Sequence, residues 1–419
     1  MLQRIFVVGH GAVTCLGRDM DATWEGLISG RSGIRRRPEL APDAFLENIA
    51  GMIENLEPDA GTGDRTLSKL SARFLLLAMK SAKEAWIDAG LDRIAGQIEP
   101  DRVALMVGSA FGGMDFLEAQ QARMRRRADL AVSPFLIPGL LINQAAGQIA
   151  QHLHLYGPCV APSNACATGG HAIVLGAMAL KAGDADIALC GASESTFTPA
   201  VVNGFATMKA LFQKKAGDRC ENDPAQASRP FSIDRAGFVM AEGAAMLVLA
   251  TEAATLRLGL KPQAELLGYC LNTDGYHMAM PSPERIIECL RGALRNASLE
   301  PEAIDYYNAH GTSTPLNDEV ETQVIKTVFG NCASRLPISS IKGALGHGLG
   351  AAAAIEAAAC VRAIRDQIIP PTINYLPDPE LNLDYVPDRA RPARLARVIS
   401  SSFGFGGTNN VLIFGDGRI

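Results

Sequence analysis

The chain has 419 residues, 48% of them hydrophobic and 20% charged, with a mean hydropathy of +0.10, a composition that excludes disordered and fibrous classes and fits a globular protein with a large core. The net charge of −5 and the pI of about 5.9 give no global field that would draw the protein onto nucleic acid. Nine cysteines, at 15, 159, 166, 190, 220, 270, 289, 332 and 360, form no CxxC pair and no tight His/Cys cluster in sequence, which speaks for reduced, mostly core thiols rather than a zinc site.

Length alone suggests two or three domains. The N-terminal "RIFVVGHG" reads as a first strand; its apolar run, Ile5 to Val8, is too short for a secretory signal, and no later stretch reads as a bilayer span, so a soluble, cytoplasmic enzyme is expected. A helix follows in "SKLSARFLLLAMKSAKEAWIDAG", apolar at Leu70, Phe74, Leu77, Ala78 and Ala85 and closed by Gly90. "DRVALMVGSA" is a second strand, the charge run "RMRRRADL" a solvated loop by default, and "ADIALCGASES" a third strand. Later, "AIDYYNAHG", "LPISSIKGALG" and "RVISSSFGFG" repeat the pattern of strand-like runs ending in small residues. Strands alternating with helices define an α/β protein.

Two pairs of segments correspond in order. "SNACATGGHAIVLGAMALKAG" and "SIKGALGHGLGAAAAIEAAACV" are each a turn followed by a helix of small residues; "AGFVMAEGAAMLVLA" and "FGFGGTNNVLIFG" are each a Gly-rich loop feeding a buried strand. One unit used twice, meeting around Thr251 to Pro262, divides the chain into halves at 1–255 and 256–419. Helices of Ala and Gly permit close backbone approach, so both belong at a buried centre where a shared site would form.

Cys166 lies at the start of the first of these helices, where unpaired N–H groups and the helix dipole favour a thiolate and hence a nucleophile. His310 directly follows a strand in "NAHGTSTPLNDEVE", and His347 stands at the mouth of the second small-residue helix with Lys342 five residues earlier. Two histidines and a cysteine, each in a strand-to-helix turn, point to one catalytic constellation.

The blocks "NACATG", "NAHGTSTPLND", "IKGALGHGLGAA" and "SFGFGGTNN" resemble, in order and spacing, the signatures of the elongating Cys-His-His β-ketoacyl-acyl carrier protein synthases, condensing enzymes of the thiolase fold, and the similarity runs from "VVGHGAVTCLG" to the C-terminus. The resemblance implies a five-layered α-β-α-β-α fold from two duplicated halves with mixed sheets. It also implies an acyltransferase that joins an acyl group on Cys166 to malonyl-acyl carrier protein with loss of carbon dioxide, in fatty acid or specialised polyketide and polyene lipid synthesis. His310 and His347 would donate hydrogen bonds to the enolate, and the N–H groups of Cys166 and Phe405 would hold the oxyanion. Lys342 would set the field around the histidines, and Thr312 and Thr314 would bind the pantetheine arm. Phe111 and Phe205 would line the acyl pocket, with Phe111 restricting chain length, and Gly406 would let the Phe405 loop swing.

Glu356, within "AAAAIEAAAC", is expected to be buried against a partner or an ion, with Asp318 as a second structural or ion-binding carboxylate and the metal itself unassigned. Lys69, Arg125, Arg126, Arg127 and Lys209 fall where the family carries basic residues for docking an acidic acyl carrier protein. No cofactor is implied beyond the phosphopantetheine arm that brings acyl and malonyl thioesters. A homodimer is expected through a strand near "ADIALCGASE", with "SPFLIPGLLINQAAG" close to the interface, a heterodimer with a related subunit being the other arrangement. A thiolase would need a second cysteine in "SSFGFGGTNN", and chain-starting synthases use Cys-His-Asn; neither matches. A non-catalytic partner subunit of a polyketide synthase would lack the cysteine that this chain has at 166, which leaves a scaffold subunit that retains the triad as the other reading.

Overall fold

The computed structural model describes residues 3–37, 40, 48–56, 72–126 and 132–418. Its main sheet has ten strands, and their order divides it into two halves of identical plan. From one edge inward, Cys159–Val160, Val103–Gly108 and Ile187–Glu194 run parallel, then Gly243–Thr251 and Ile5–Thr14 antiparallel. From the other edge, Ile338–Ser339, Tyr306–Asn308 and Arg397–Gly404 run parallel, then Thr408–Gly415 and Ala264–Thr273 antiparallel. The halves touch through two residue pairs, Phe6 with Glu265 and Val7 with Ala264. The duplication expected from the segment correspondences, and the mixed sheets that the resemblance implies, are therefore present strand for strand.

Residue size sorts the layers. Along Val103–Gly108, Val103, Leu105 and Val107 face an outer core with Phe74, Leu75 and Trp86 of the helix Arg73–Asp88, whereas Ala104 and Met106 face the central core. Period-two alternation with apolar residues on both faces is what a strand between two helical layers requires. The central core is built around Thr168–Ala182 and Ala352–Asp366, the two small-residue helices, which pack on each other, the first mainly on Ile187–Glu194 and Val103–Gly108 and the second on Gly243–Thr251 and Arg397–Gly404. Pro283–Ala297 and Pro315–Phe329 cover the far side, with Ile286, Leu290, Val324 and Phe329 against Tyr307 and Ile399. This gives the five layers α-β-α-β-α.

Helix ends follow local chemistry. Arg73–Asp88 stops ahead of Gly90, whose φ of 73° ends the turn without a Cβ penalty. The segment Ala165–Ala182 is, against the sequence reading, long and apolar enough by composition to cross a membrane; tertiary packing instead uses it as a mostly buried core helix.

One further expectation is overturned. The strand at "ADIALCGASE", Ile187–Glu194, has neighbours on both sides, so its backbone groups are taken and it cannot continue the sheet into another chain. The free edge of that half is Cys159–Val160, both residues exposed, with the helix Gln144–Leu153, which begins at the end of "SPFLIPGLLINQAAG", beside it.

The crossing of the central helices leaves no room at Gly169, where a Cβ would stand 2.5 Å from the backbone nitrogen of Ala354. Gly169→Val should lower unfolding free energy by about 1–3 kcal/mol, measured by urea denaturation; an unchanged midpoint would show that the helices slide apart without cost.

Candidate active site

Both central helices begin in short 3-10 turns, Ala165–Ala167 and Leu349–Ala351, and their N-termini converge. Ala165 is held at φ 49°, a left-handed conformation unusual for a residue with a Cβ, and places Cys166 on a sharp turn. The turn is tied down by Thr168 Oγ1, which donates to Ala165 O at 2.7 Å and accepts from Asn164 N at 2.8 Å. Thr408 Oγ1 donates to Asn164 O at 3.0 Å, bringing the C-terminal half into the same turn.

His347 Nε2 lies 3.1 Å from Cys166 Sγ, across 181 residues of chain. The Leu349 N–H donates to His347 Nδ1 at 3.3 Å, which leaves Nε2 carrying the proton and aimed at the sulfur. His310 completes the cluster, its ring 5.5 Å from that of His347 between centroids. One ligand atom from each of Cys166, His310 and His347 lies within 4.8 Å of the others, a spacing that would also suit a metal. The His347 tautomer argues against that use, because a metal needs the lone pair where Nε2 has its hydrogen.

Burial and the Lys342 charge hold both imidazoles well below the usual histidine range, and His310 is further lowered by His347. Each is therefore a neutral hydrogen-bond donor at working pH. Cys166 departs from the thiolate expected at a helix start: burial pushes its thiol up to about 12, with Lys342 lowering it and Glu356 and Glu194 raising it. Desolvation outweighs both the helix N-terminus and the nearby cation Lys342.

That cation, Lys342, is 2% exposed and forms a short ion pair with Glu356, itself within hydrogen-bond reach of Ser402 Oγ at 3.3 Å. Its ammonium also donates to the His310 carbonyl at 2.6 Å, so it grips the backbone of the histidine turn. A residue that sequence reasoning missed holds the same turn: Glu321 accepts the N–H groups of His310 and Gly311 at 2.8 and 2.7 Å. Its signal was the inward face of the helix Pro315–Phe329, on which Asp318 and Glu321 are both buried. Asp318 lies away from the cluster and accepts the Phe231 N–H at 2.7 Å, its carboxyl pushed up to about 7 by burial.

The cluster floors a cavity of about 390 Å³. Thr312 and Thr314 line it, their hydroxyls 2.8 Å apart, as do Phe205 and Phe405. Phe405 is 37% exposed on a loop whose Gly406 and Gly407 have φ of 83° and 71°. The Gly406 N–H donates to Met278 O and the Asp274 N–H to Gly407 O, each at 2.8 Å, so the loop leans on the 274–281 segment, a cavity wall that the sequence reading did not single out. Phe111 is not in the open cavity but behind it, edge-on to Phe205 at 6.1 Å. Lys209 lies at the cavity mouth and Arg125 and Arg126 are exposed at the end of the helix Met114–Arg126; Lys69 and Arg127 fall outside the described residues.

A nucleophile, two neutral donors and an aromatic-walled cavity on a duplicated α/β frame define a thiolase-fold condensing enzyme, an acyltransferase. Residues 2–254 match the family model "Beta-ketoacyl synthase, N-terminal domain" and residues 263–376 match "Beta-ketoacyl synthase, C-terminal domain". A 3-oxoacyl-[acyl-carrier-protein] synthase 2 from Coxiella burnetii is 37% identical over 414 residues, 98% of each chain. A β-ketoacyl synthase from Burkholderia phymatum superposes with a TM-score of 0.90 at 30% identity, covering 99% of this chain and all of that one. A type II polyketide ketosynthase solved with its acyl-carrier protein gives 0.89 at 28% identity, again over 99% and 100% of the chains. The chain belongs to the β-ketoacyl synthase family.

Two measurements check the electrostatics. Alkylation of Cys166 by iodoacetamide, followed by peptide mass spectrometry, should keep accelerating with pH through the usual thiol range near 8.5; a plateau at or below pH 8 would reveal a resting thiolate. Lys342→Met strands a buried Glu356 charge and should cost about 3–5 kcal/mol in urea denaturation, with Lys342→Met/Glu356→Leu recovering much of the loss. A double variant no more stable than the single one would show that the pair does not carry the effect.

Proposed function

We propose that this cavity takes an acyl group from a carrier-protein thioester onto Cys166 and condenses it with malonyl-acyl carrier protein to give a β-ketoacyl-acyl carrier protein. The observation that carries the reading is the convergence of Cys166, His310 and His347 within 4.8 Å at the cavity floor. The sulfur attacks the thioester carbonyl, and its proton leaves with the departing pantetheine thiol. A malonyl thioester then enters and its carbon–carboxylate bond breaks, releasing carbon dioxide and leaving the electron pair as an enolate. N–H groups of His347 and His310 meet the enolate oxygen; their neutrality suits them to donate without protonating the carbanion. The carbanion attacks the acyl carbonyl, the N–H groups of Cys166 and Phe405 hold the oxyanion, and collapse expels the cysteine as a thiolate, which takes a proton from solvent.

In this reading the 1–255 half supplies the nucleophile and the 256–419 half the donors. Lys342 fixes the His310 turn, Thr312 and Thr314 bind the pantetheine arm, and the Phe405 loop opens and closes the acyl side about Gly406. No cofactor of the protein's own takes part. Lys209, Arg125 and Arg126 would receive an acidic carrier protein, and the exposed Cys159–Val160 edge, flanked by Tyr156 at 67% exposure, would pair with a second subunit.

Cys166→Ala should abolish condensation while leaving malonyl decarboxylation, whereas His310→Ala or His347→Ala should slow decarboxylation about a hundredfold, on the order of 3 kcal/mol, and spare acylation of Cys166. Carbon dioxide release and acyl-enzyme mass spectrometry separate the half-reactions; equal loss of both in a histidine variant would assign it a structural role instead.

Phe111 backs Phe205 at the inner end of the cavity, so long saturated primers should be disfavoured by about 0.8 kcal/mol for each methylene left unburied, plus about 1–3 kcal/mol of strain. Rates across a primer series should drop with length in the native enzyme and recover in Phe111→Ala. Equal native rates for short and long primers, or no gain in the alanine variant, would remove Phe111 from chain-length control.

A further inference from the structure

Glu194 ends the central strand Ile187–Glu194 and is fully buried. Its carboxylate accepts the Ala110 N–H at 2.7 Å and the Ser109 hydroxyl at 3.1 Å, and the N–H groups of Phe111 and Gly350 face it as well. Its charge is thus met by backbone dipoles and a hydroxyl, an arrangement that holds only while the donors stay converged. Gly350 comes so close that a Cβ there would stand 2.5 Å from Glu194 Oε2.

The groups gathered on this carboxylate belong to two turns, and a third is tied to the first of them. Ser109 to Phe111 form the turn behind the acyl pocket, and Ser109 Oγ further accepts the Gly112 N–H at 2.9 Å. Ala110 O accepts the hydroxyl of Ser163 at 3.3 Å, three residues before Cys166. Gly350 follows Leu349, whose N–H fixes the His347 tautomer and whose φ of 48° needs support from its surroundings. One buried carboxyl therefore joins the Phe111 turn to the histidine turn directly, and reaches the nucleophile turn through Ala110 and Ser163.

We propose that Glu194 is a positioning residue for the condensation, clamping the Phe111 turn to the Leu349–Ala351 turn so that pocket depth and the His347 Nε2–H donor are set together. The inference rests on the catalytic reading above and adds a specificity-determining part to it. Burial pushes the carboxyl up to about 7, and the N–H groups and the Ser109 hydroxyl draw it back toward the ionised form, so the charged state depends on those donors staying in place.

Glu194→Gln tests it, because the amide keeps the shape but turns an NH2 group against the gathered N–H donors. Its kcat for condensation should fall about tenfold or more with KM for the malonyl carrier changed less than about twofold. The rate ratio of long to short primers should rise as Phe111 is released, and 15N NMR should show His347 losing its pure Nε2–H form. A Glu194→Gln protein with native kcat, primer ratio and His347 signals overturns the proposal, as does a uniform loss accounted for by a smaller folded fraction. Should Glu194→Gln not fold, Ser109→Ala removes one arm of the clamp and should produce the same primer shift with a smaller kcat loss; no shift overturns the proposal. Wild-type protein that fails to condense any primer would instead refute the catalytic reading, so the two failures are distinguishable.

Discussion

The structure depends on one steric constraint, the backbone-level contact between the helices Thr168–Ala182 and Ala352–Asp366. Gly169 meets Ala354 where no Cβ fits, and neighbouring Ala side chains keep the axes close along the crossing. Because both helices start beside the crossing, their N-terminal turns are forced together, and Cys166 and His347 become neighbours across 181 residues. Larger side chains at the contact would separate the two helix starts before they disturbed either sheet. Catalytic geometry in this fold is thus a consequence of packing at the centre.

Bringing the turns together buries an unusual set of charges. Lys342, Glu356, Glu321, Asp318 and Glu194 are all nearly inaccessible. Their compensation differs: Lys342 and Glu356 pair with each other, whereas Glu321, Asp318 and Glu194 collect backbone N–H groups. A carboxylate held by N–H groups fixes the chain that supplies them, so these residues shape loops rather than donate charge to the reaction. The reacting groups themselves are kept neutral, the thiol pushed up and the imidazoles down by the same desolvation. A site of neutral donors suits chemistry in which charge arises only as the carboxylate departs.

Function is distributed over both halves. The first offers Cys166 and the aromatic pair Phe111 and Phe205, the second the histidines and the Phe405 loop, which the 274–281 segment braces through Met278 and Asp274. Glycine at 406 and 407 supplies the positive φ the loop needs, and Phe405 meets Phe205 at 6.4 Å, linking the loop to the cavity wall. The free sheet edge lies on the first half at Cys159–Val160, remote in the strand order from the second half.

Much of this was legible in the chain. Alternating apolar runs gave the strands, Gly90 the end of a helix, and the paired Ala/Gly segments the duplication and the buried centre, because each reports a local preference or a periodicity that survives folding. Cys166, His310, His347 and Lys342 stood out through their turn contexts. The sequence could not say which strand would be left at the edge, since Ile187–Glu194 and Cys159–Val160 differ in neighbours rather than in pattern. Nor could it give the protonation state of Cys166, where burial, with Glu356 and Glu194 adding to it, reversed the helix-start rule against the opposing charge of Lys342. Glu321 and Glu194 were unremarkable as letters; their partners come from segments distant in sequence, and only tertiary convergence of N–H groups made them parts of the site. Local propensity is written residue by residue, whereas desolvation and the gathering of dipoles exist only once the layers have closed.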